Sequence, residues 1–381
     1  MSMRRISRAA AQKSTRENSV VPVALNSYLP GIGRVCVRTD KVGATRFGDR
    51  DSSPRRGRHL ISPARKRWVS GTDQRVPQGR HSVHAVCLFI SFVACTLLIH
   101  SCPAAAQGRI DCSSIQSKIL QRGVRYCAML PPSYETEHDR KYPILYFLHG
   151  LGQNEQALMM GGGWGLIEDL RQHHTIGDFL IIAVEGRGSF FINSADGKQR
   201  YSDFFLTEFM PQIESKFRVL RGRKTRGITG LSMGGYGALR FAFAHPEPFG
   251  SVSAQSAALI TEPPKQMNED LQHAGPLANL LGGVFGNPIN VAHWNQNNPF
   301  ILARQHRTEL KTMAIYFNCG LDDEYGFAAG ASKLHQQLVS ERIPHQFHLY
   351  PGGHSAEYFL SHLGETLQFH WHVFEDGTRT K

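Results

Sequence analysis

Beyond residue 106 this sequence has almost no net charge, only three cysteines and no apolar run of membrane-spanning length. The 381-residue chain carries 43 Lys+Arg and 31 Asp+Glu, a formal net charge of +12. Residues 1–84 hold 18 of the basic and 5 of the acidic residues, a net of +13, which leaves 25 against 26, a net of −1. The basic excess therefore belongs to an N-terminal segment, and the rest has no electrostatic footprint for nucleic acid. The longest apolar run, Ala85 to Ile99, is 15 residues, too short to cross a bilayer comfortably. His370-Trp371-His372 has no companion ligands at zinc spacing, so no metal site is expected. No internal repeat is visible.

Residues 1–84 are rich in Arg, Ser, Gly and Pro and show no sustained periodicity. Such a segment buries too little apolar surface to order itself, so a disordered extension is expected. The apolar run that follows ends in Ala104-Ala105-Ala106-Gln107, a small-residue cleavage site, so residues 85–106 read as a secretory signal peptide. A signal placed that far in suggests translation starting near Val76, Val83 or Val86 at a non-AUG codon. Recovery of a native product retaining residues 1–70 would exclude that start. A single-span membrane anchor with a basic tail and a lipoprotein signal ending at Cys102 are the alternatives.

Residues 107–381 then form one domain exported to the periplasm or the medium, with membrane association only through an uncleaved N-terminal segment. Cys112 and Cys127 flank a predicted hairpin turn around Gln121-Arg122-Gly123. In an oxidising compartment they could close a disulfide; two buried thiols are the equal alternative. Cys319 reads as a small buried residue.

The domain alternates strands and helices. Strands are predicted over 124–130, 142–148, 179–184, 225–229, 250–256, 313–319 and 345–350. Helices are predicted over 204–217, after 233, over 327–339 and over 355–373. That alternation gives an α/β fold with a mostly parallel sheet covered on both faces. Residues 257–310, with Pro263-Pro264, Gly282-Gly283 and Asn297-Asn298-Pro299, lack strand signal and read as a helical or looped insertion over the strand ends.

The chemistry centres on Gly230-Leu231-Ser232-Met233-Gly234, placed between a β-prone run and an Ala- and Phe-rich helix stopped at His245-Pro246. Strand, tight turn and helix make a nucleophile elbow of a Gly-x-Ser-x-Gly match. Gly230 and Gly234 supply the side-chain-free positions that such a turn needs. A serine needs a base to take its proton and an acid to hold that base's tautomer. Two downstream strand ends offer them: Asn318-Cys319-Gly320-Leu321-Asp322-Asp323-Glu324, and Pro351-Gly352-Gly353-His354-Ser355. His354 is the candidate base and Asp323 the candidate acid, with Asp322 as its rival. Leu148-His149-Gly150-Leu151-Gly152 follows a buried strand, where an α/β-hydrolase places its second oxyanion amide. The Leu151 and Met233 amides are the candidate oxyanion donors, and His149 reads as an orienting residue of that loop.

Taken together, Leu148-His149-Gly150-Leu151-Gly152, Asn193-Ser194-Ala195-Asp196-Gly197, the elbow and the two downstream loops resemble the esterase D-like family of α/β-hydrolases. That family includes feruloyl and acetyl-xylan esterases, tributyrin esterases, S-formylglutathione hydrolases and mycolyltransferases. The resemblance spans residues 110–375 and departs at Glu185-Gly186, where Asp-Gly is expected. It implies an α/β-hydrolase fold and a cofactor-free serine carboxylesterase with Ser232, His354 and Asp323 as its triad. Leu151 and Met233 would be the oxyanion donors, and the substrate a small-molecule or polysaccharide-linked ester. S-formylglutathione chemistry is cytosolic and fits an exported chain poorly. An acyltransferase using a sugar or lipid alcohol would share the triad, and an added acceptor alcohol distinguishes it. A non-catalytic hydrolase-fold binding protein would leave Ser232 unreactive towards a fluorophosphonate. The sequence does not fix the oligomeric state.

Overall fold

The computed structural model describes residues 107–263 and 276–379. The expected basic extension (1–84) and signal peptide (85–106) lie outside the described residues. Among the described residues eight strands form one sheet in the order β1-β2-β4-β3-β5-β6-β7-β8. They are β1 Arg109–Ser117, β2 Arg122–Leu130, β3 Ile144–Leu148, β4 Leu180–Val184, β5 Arg226–Leu231, β6 Ser251–Gln255, β7 Ala314–Gly320 and β8 Gln346–Tyr350. The β1–β2 and β2–β4 pairings are antiparallel, and every other neighbouring pair is parallel. This is the α/β-hydrolase architecture that the strand–helix alternation predicts.

Burial explains the apolar strands. Ile144, Tyr146 and Leu148 of β3 join one core with the elbow helix (Met233–Ala244), the helical stretch 201–216 and the helix Phe327–Ser340. Leu145 and Phe147, the alternate residues, join the other with Ile167 of the helix Gly163–Gln172 and Leu363 and Leu367 of the C-terminal helix Ala356–Arg379. A strand buried on both faces must be apolar at every position. Each fully buried Leu, Ile or Phe contributes about 1.5–3 kcal/mol. The edge strands β1 and β8, by contrast, keep exposed positions.

Several boundaries differ from expectation. The hairpin turn falls at residues 118–121, with Gln121 at φ 52°, and β2 already begins at Arg122. The expected helix over 204–217 starts at Tyr201 and passes through a π-helical turn, Phe205–Phe209. That wider turn lets Phe204, Phe205 and Phe209 all face the core, a demand that outweighs regular helix geometry. The helix Gly163–Gln172 has no expected counterpart; Gly162 takes φ 82° as its N-cap. The closing helix continues to Arg379 rather than stopping at Val373.

Within residues 257–310 the described chain is irregular over 257–263 and then forms the helices Pro276–Phe285, Val291–Asn297, Pro299–Gln305 and Arg307–Leu310. Asn290 and Asn298 cap two of these helices through their side chains. The segment packs on the elbow helix, where the Tyr236 hydroxyl donates to Asn297 O at 2.7 Å and Arg240 Nε donates to Asn297 Oδ1 at 3.0 Å. Among the described residues no helix is long and apolar enough to cross a membrane.

Cys112 and Cys127 sit opposite each other in the β1–β2 ladder and are disulfide-bonded. The bond closes a loop with a sequence separation of 15, for which chain-entropy arguments give about 3 kcal/mol. Replacing both cysteines by alanine is therefore expected to lower unfolding free energy by about that amount. Urea unfolding of the two proteins measures the difference, and equal midpoints would show that the bond contributes nothing.

Candidate active site

The chain reverses its direction of sheet growth between β3 and β5, the strands at the centre of the sheet. β3 leads outward to β4, whereas β5 leads the other way through β6, β7 and β8. The loops after β3 and β5 therefore meet at the carboxyl edge, at a topological switch point where open α/β sheets bind ligands.

Ser232 follows β5 directly and takes φ 55° and ψ −119°. Backbone bonds hold it there: its N–H donates to Gln255 O at 2.9 Å, and its carbonyl accepts from Tyr236 N at 3.0 Å and Ala258 N at 3.1 Å. A non-glycine residue in this region stores about 1–3 kcal/mol, so the turn is built rather than relaxed. Gly230 and Gly234 make it possible. A Cβ on Gly230 would overlap the Gly234 carbonyl, and one on Gly234 would overlap the Leu148 carbonyl at the end of β3.

His354 and Asp323 converge on the elbow. His354 Nε2 lies 2.8 Å from Ser232 Oγ, and Nδ1 lies 2.7 Å from Asp323 Oδ2. With the proton on Nδ1, the imidazole donates to the carboxylate and accepts from the serine hydroxyl, the tautomer required of a base. The Asp323 side chain is fully buried. Its Oδ1 also accepts from Tyr325 N at 3.1 Å and Phe327 N at 3.4 Å. Cys319 Sγ lies 3.7 Å from Oδ2, and burial pushes this thiol up to about 12, so it faces the carboxylate as S–H. Asp322 is exposed, and its amide donates to Gly352 O at 3.0 Å. The rings of Tyr325, Phe359 and Phe327 pack edge-on against the imidazole, with centroids 4.9, 5.1 and 5.5 Å away.

The loop after β3 lies against the nucleophile: a Cβ built on Gly150 would sit 3.6 Å from Ser232 Cβ. Leu151 is the next residue, and its side chain is 46% exposed. Met233 opens the elbow helix, where a first-turn amide has no intrahelical acceptor. His149 is buried and bridges two loops, with Nδ1 2.8 Å from Gly150 O and Nε2 accepting from Gly186 N at 2.8 Å. Burial holds this imidazole below its ordinary value, which keeps Nε2 free to accept. The structure thus gives His149 the orienting place that its position in the sequence suggests.

Other groups around the site were given no role by the sequence. Glu185 pairs with Arg122 at 2.9 Å, Arg125 at 3.3 Å and Arg187 at 3.4 Å. Burial pushes its carboxyl up, yet the Arg122 hydrogen bond and the charges of all three arginines leave it below the usual range. Beside this pairing is a hollow of about 390 Å³ lined by residues that include Arg122, Arg187, Ser194, Ile192, Leu280 and Val284. Leu151 and Leu280 both approach Gly188 at its rim. Glu324 accepts a hydrogen bond from the His354 amide at 2.8 Å. An acidic run after a strand was the one trace of Glu324 in the sequence; the β1–β2 arginines gave none.

Among the described residues, no group of three or more His, Cys, Asp or Glu side chains is arranged to hold a metal. His370 is fully buried between Ser251 Oγ (2.7 Å) and Ser253 Oγ (2.8 Å), and burial lowers it to about 3. It is a neutral core residue of the interface between β6 and the C-terminal helix.

Known proteins to which this chain is similar include esterases. Esterase Rv1288 of Mycobacterium tuberculosis (strain ATCC 25618 / H37Rv) is 30% identical over 250 residues, which are 59% of this chain and 51% of that protein. The chain thus spans about half the length of this curated relative. An acetyl esterase of Caldicellulosiruptor saccharolyticus is 26% identical over 260 residues, 66% of this chain and 94% of the relative. A solved ferulic acid esterase superposes with a TM-score of 0.60 at 26% identity, covering 70% of this chain and 99% of its own. The family model described as "Putative esterase" matches residues 117–370. With the match running from the end of β1 into the C-terminal helix, the chain belongs to the Putative esterase family, on an α/β-hydrolase fold.

Proposed function

We propose that this protein is an exported serine carboxylesterase that cleaves small acyl, acetyl or feruloyl-type esters through an acyl-enzyme. The observation that carries this reading is the unbroken relay Ser232 Oγ, His354 and Asp323, with contacts of 2.8 and 2.7 Å at the strand ends. In the first step Ser232 Oγ attacks the ester carbonyl while His354 Nε2 takes its proton. Asp323 stabilises the imidazolium that forms. The carbonyl oxygen, now negative, is held by the Leu151 and Met233 amides, where losing one such donor typically costs about 3 kcal/mol. His354 then protonates the departing alcohol, and later draws a proton from water to hydrolyse the acyl-enzyme.

The hollow of about 390 Å³ beside Leu151 supports a compact, polar or aromatic group on the ester. Its Arg122, Arg187, Ser189, Ser194 and Gln199 are set among Ile192, Tyr201, Leu280 and Val284, a mixed lining that suits a compact group better than a long alkyl chain, which would strip water from the polar members without replacing their hydrogen bonds. The acetyl esterase and ferulic acid esterase relatives support the same substrate class. Export is supported by the apolar run with its Ala-x-Ala site at 104–106 and by the Cys112–Cys127 disulfide, a bond that persists in oxidising compartments. An ester panel from acetyl through feruloyl to palmitoyl tests the substrate reading. The expected kcat/KM on the acetyl and feruloyl members exceeds that on palmitoyl by about tenfold or more. A preference for palmitoyl would overturn it.

A further inference from the structure

We infer that Glu324 is a positioning residue for the general base: its carboxylate pins the main chain of the histidine loop and so aims His354 at Ser232. The inference rests on the serine-hydrolase reading and extends it to a residue outside the triad. Two backbone bonds knit the acid loop to the histidine loop, Leu321 N to Tyr350 O at 2.8 Å and Asp322 N to Gly352 O at 3.0 Å. Both lie upstream of His354. At His354 itself the tie is a side chain, with the amide donating to Glu324 Oε2 at 2.8 Å. Gly353 records the closeness of this contact, because a Cβ there would overlap Glu324 Oε1. The carboxylate therefore lies against Gly353 and meets the next amide, so a side chain at 353 would have to displace it. One loop thus holds both ends of the histidine: Asp323 takes the ring at Nδ1, and Glu324 takes the backbone.

The ring itself is held by other groups: the Asp323 carboxylate, the Ser232 hydroxyl and the ring edges of Tyr325, Phe327 and Phe359 face the His354 imidazole. The hydrogen bond from the His354 amide is the largest influence that holds the Glu324 carboxyl below its ordinary value.

The test compares Glu324→Gln and Glu324→Ala with wild type, and Ser232→Ala in parallel, on p-nitrophenyl acetate, with thermal melts of each. Glutamine keeps an acceptor for the His354 amide and removes the charge; alanine removes both. The expected result for Glu324→Ala is a kcat about tenfold lower with KM within about twofold. Glu324→Gln is expected to recover kcat to within about threefold at neutral pH. Gly353→Ala is expected to reproduce the alanine loss by displacing the carboxylate. A folded Glu324→Ala variant with wild-type kcat overturns the inference. So does a Glu324→Gln variant as impaired at neutral pH as the alanine one. Full activity in Ser232→Ala would instead strike down the serine reading beneath it.

Discussion

Substituting Ser232 by alanine is expected to lower kcat/KM on p-nitrophenyl acetate by at least about 10⁴-fold, and His354→Ala by a similar factor. The magnitude follows from what each side chain does. Without Oγ there is no atom to carry the acyl group; without the imidazole 2.8 Å away, Oγ remains a protonated alcohol and a poor nucleophile. The two losses should not add, because each variant has already disabled the whole relay. Stability should change little. The bonds that hold the elbow are made by the Ser232 backbone to Gln255, Tyr236 and Ala258, and alanine retains them. Steady-state kinetics and a thermal melt on the same preparations separate lost chemistry from lost folding. A fluorophosphonate should label wild type and leave Ser232→Ala unlabelled. Activity within tenfold of wild type in a folded Ser232→Ala protein would end the proposal.

The second large effect concerns the acid. Asp323→Asn is expected to reduce kcat by about 10³–10⁴-fold, with Asp322→Asn within about twofold of wild type. Asparagine is nearly the same size, so the cause is electronic rather than steric. Its amide can offer an N–H to His354 Nδ1 and trap the imidazole in the tautomer whose Nε2 carries the proton, useless as a base towards Ser232. It also withdraws the negative charge that stabilises the imidazolium during attack. At 323 these losses are unscreened, because the side chain is fully buried and bonded at 2.7 Å. At 322 the side chain is exposed, and water would screen any charge it contributes. Measuring kcat for both variants decides between them, and a larger loss at 322 than at 323 would transfer the acid role to Asp322.

Much of this was legible because the elements that build the site are local in sequence. Gly230 and Gly234 bracket Ser232 within five residues, so the strain of the turn and its relief are written side by side. Two glycines followed by His354 and a helix mark a strand-end loop in the same way. Choosing Asp323 over Asp322 depended instead on where β7 ends: Gly320 is its last residue, and the turn that closes with Asp323 N donating to Gly320 O at 3.3 Å places the 323 side chain inward. Strand-end register of that kind is set by the neighbouring strand, so a triplet of acidic residues read alone leaves it open. The π-helical turn at Phe205–Phe209 escaped prediction for a related reason, since only the core on which those rings pack favours it over a regular helix.

The sequence by itself determined the layered α/β fold, the serine elbow, the histidine loop and the confinement of the basic excess to the first 84 residues, because periodicity, glycine placement and composition are properties of short stretches. Tertiary structure decided which carboxylate meets His354, that Glu324 holds its backbone, that His149 ties two loops, and that Cys112 faces Cys127. Each of those is a contact between segments distant along the chain, and its geometry exists only once the strands have taken their order and register.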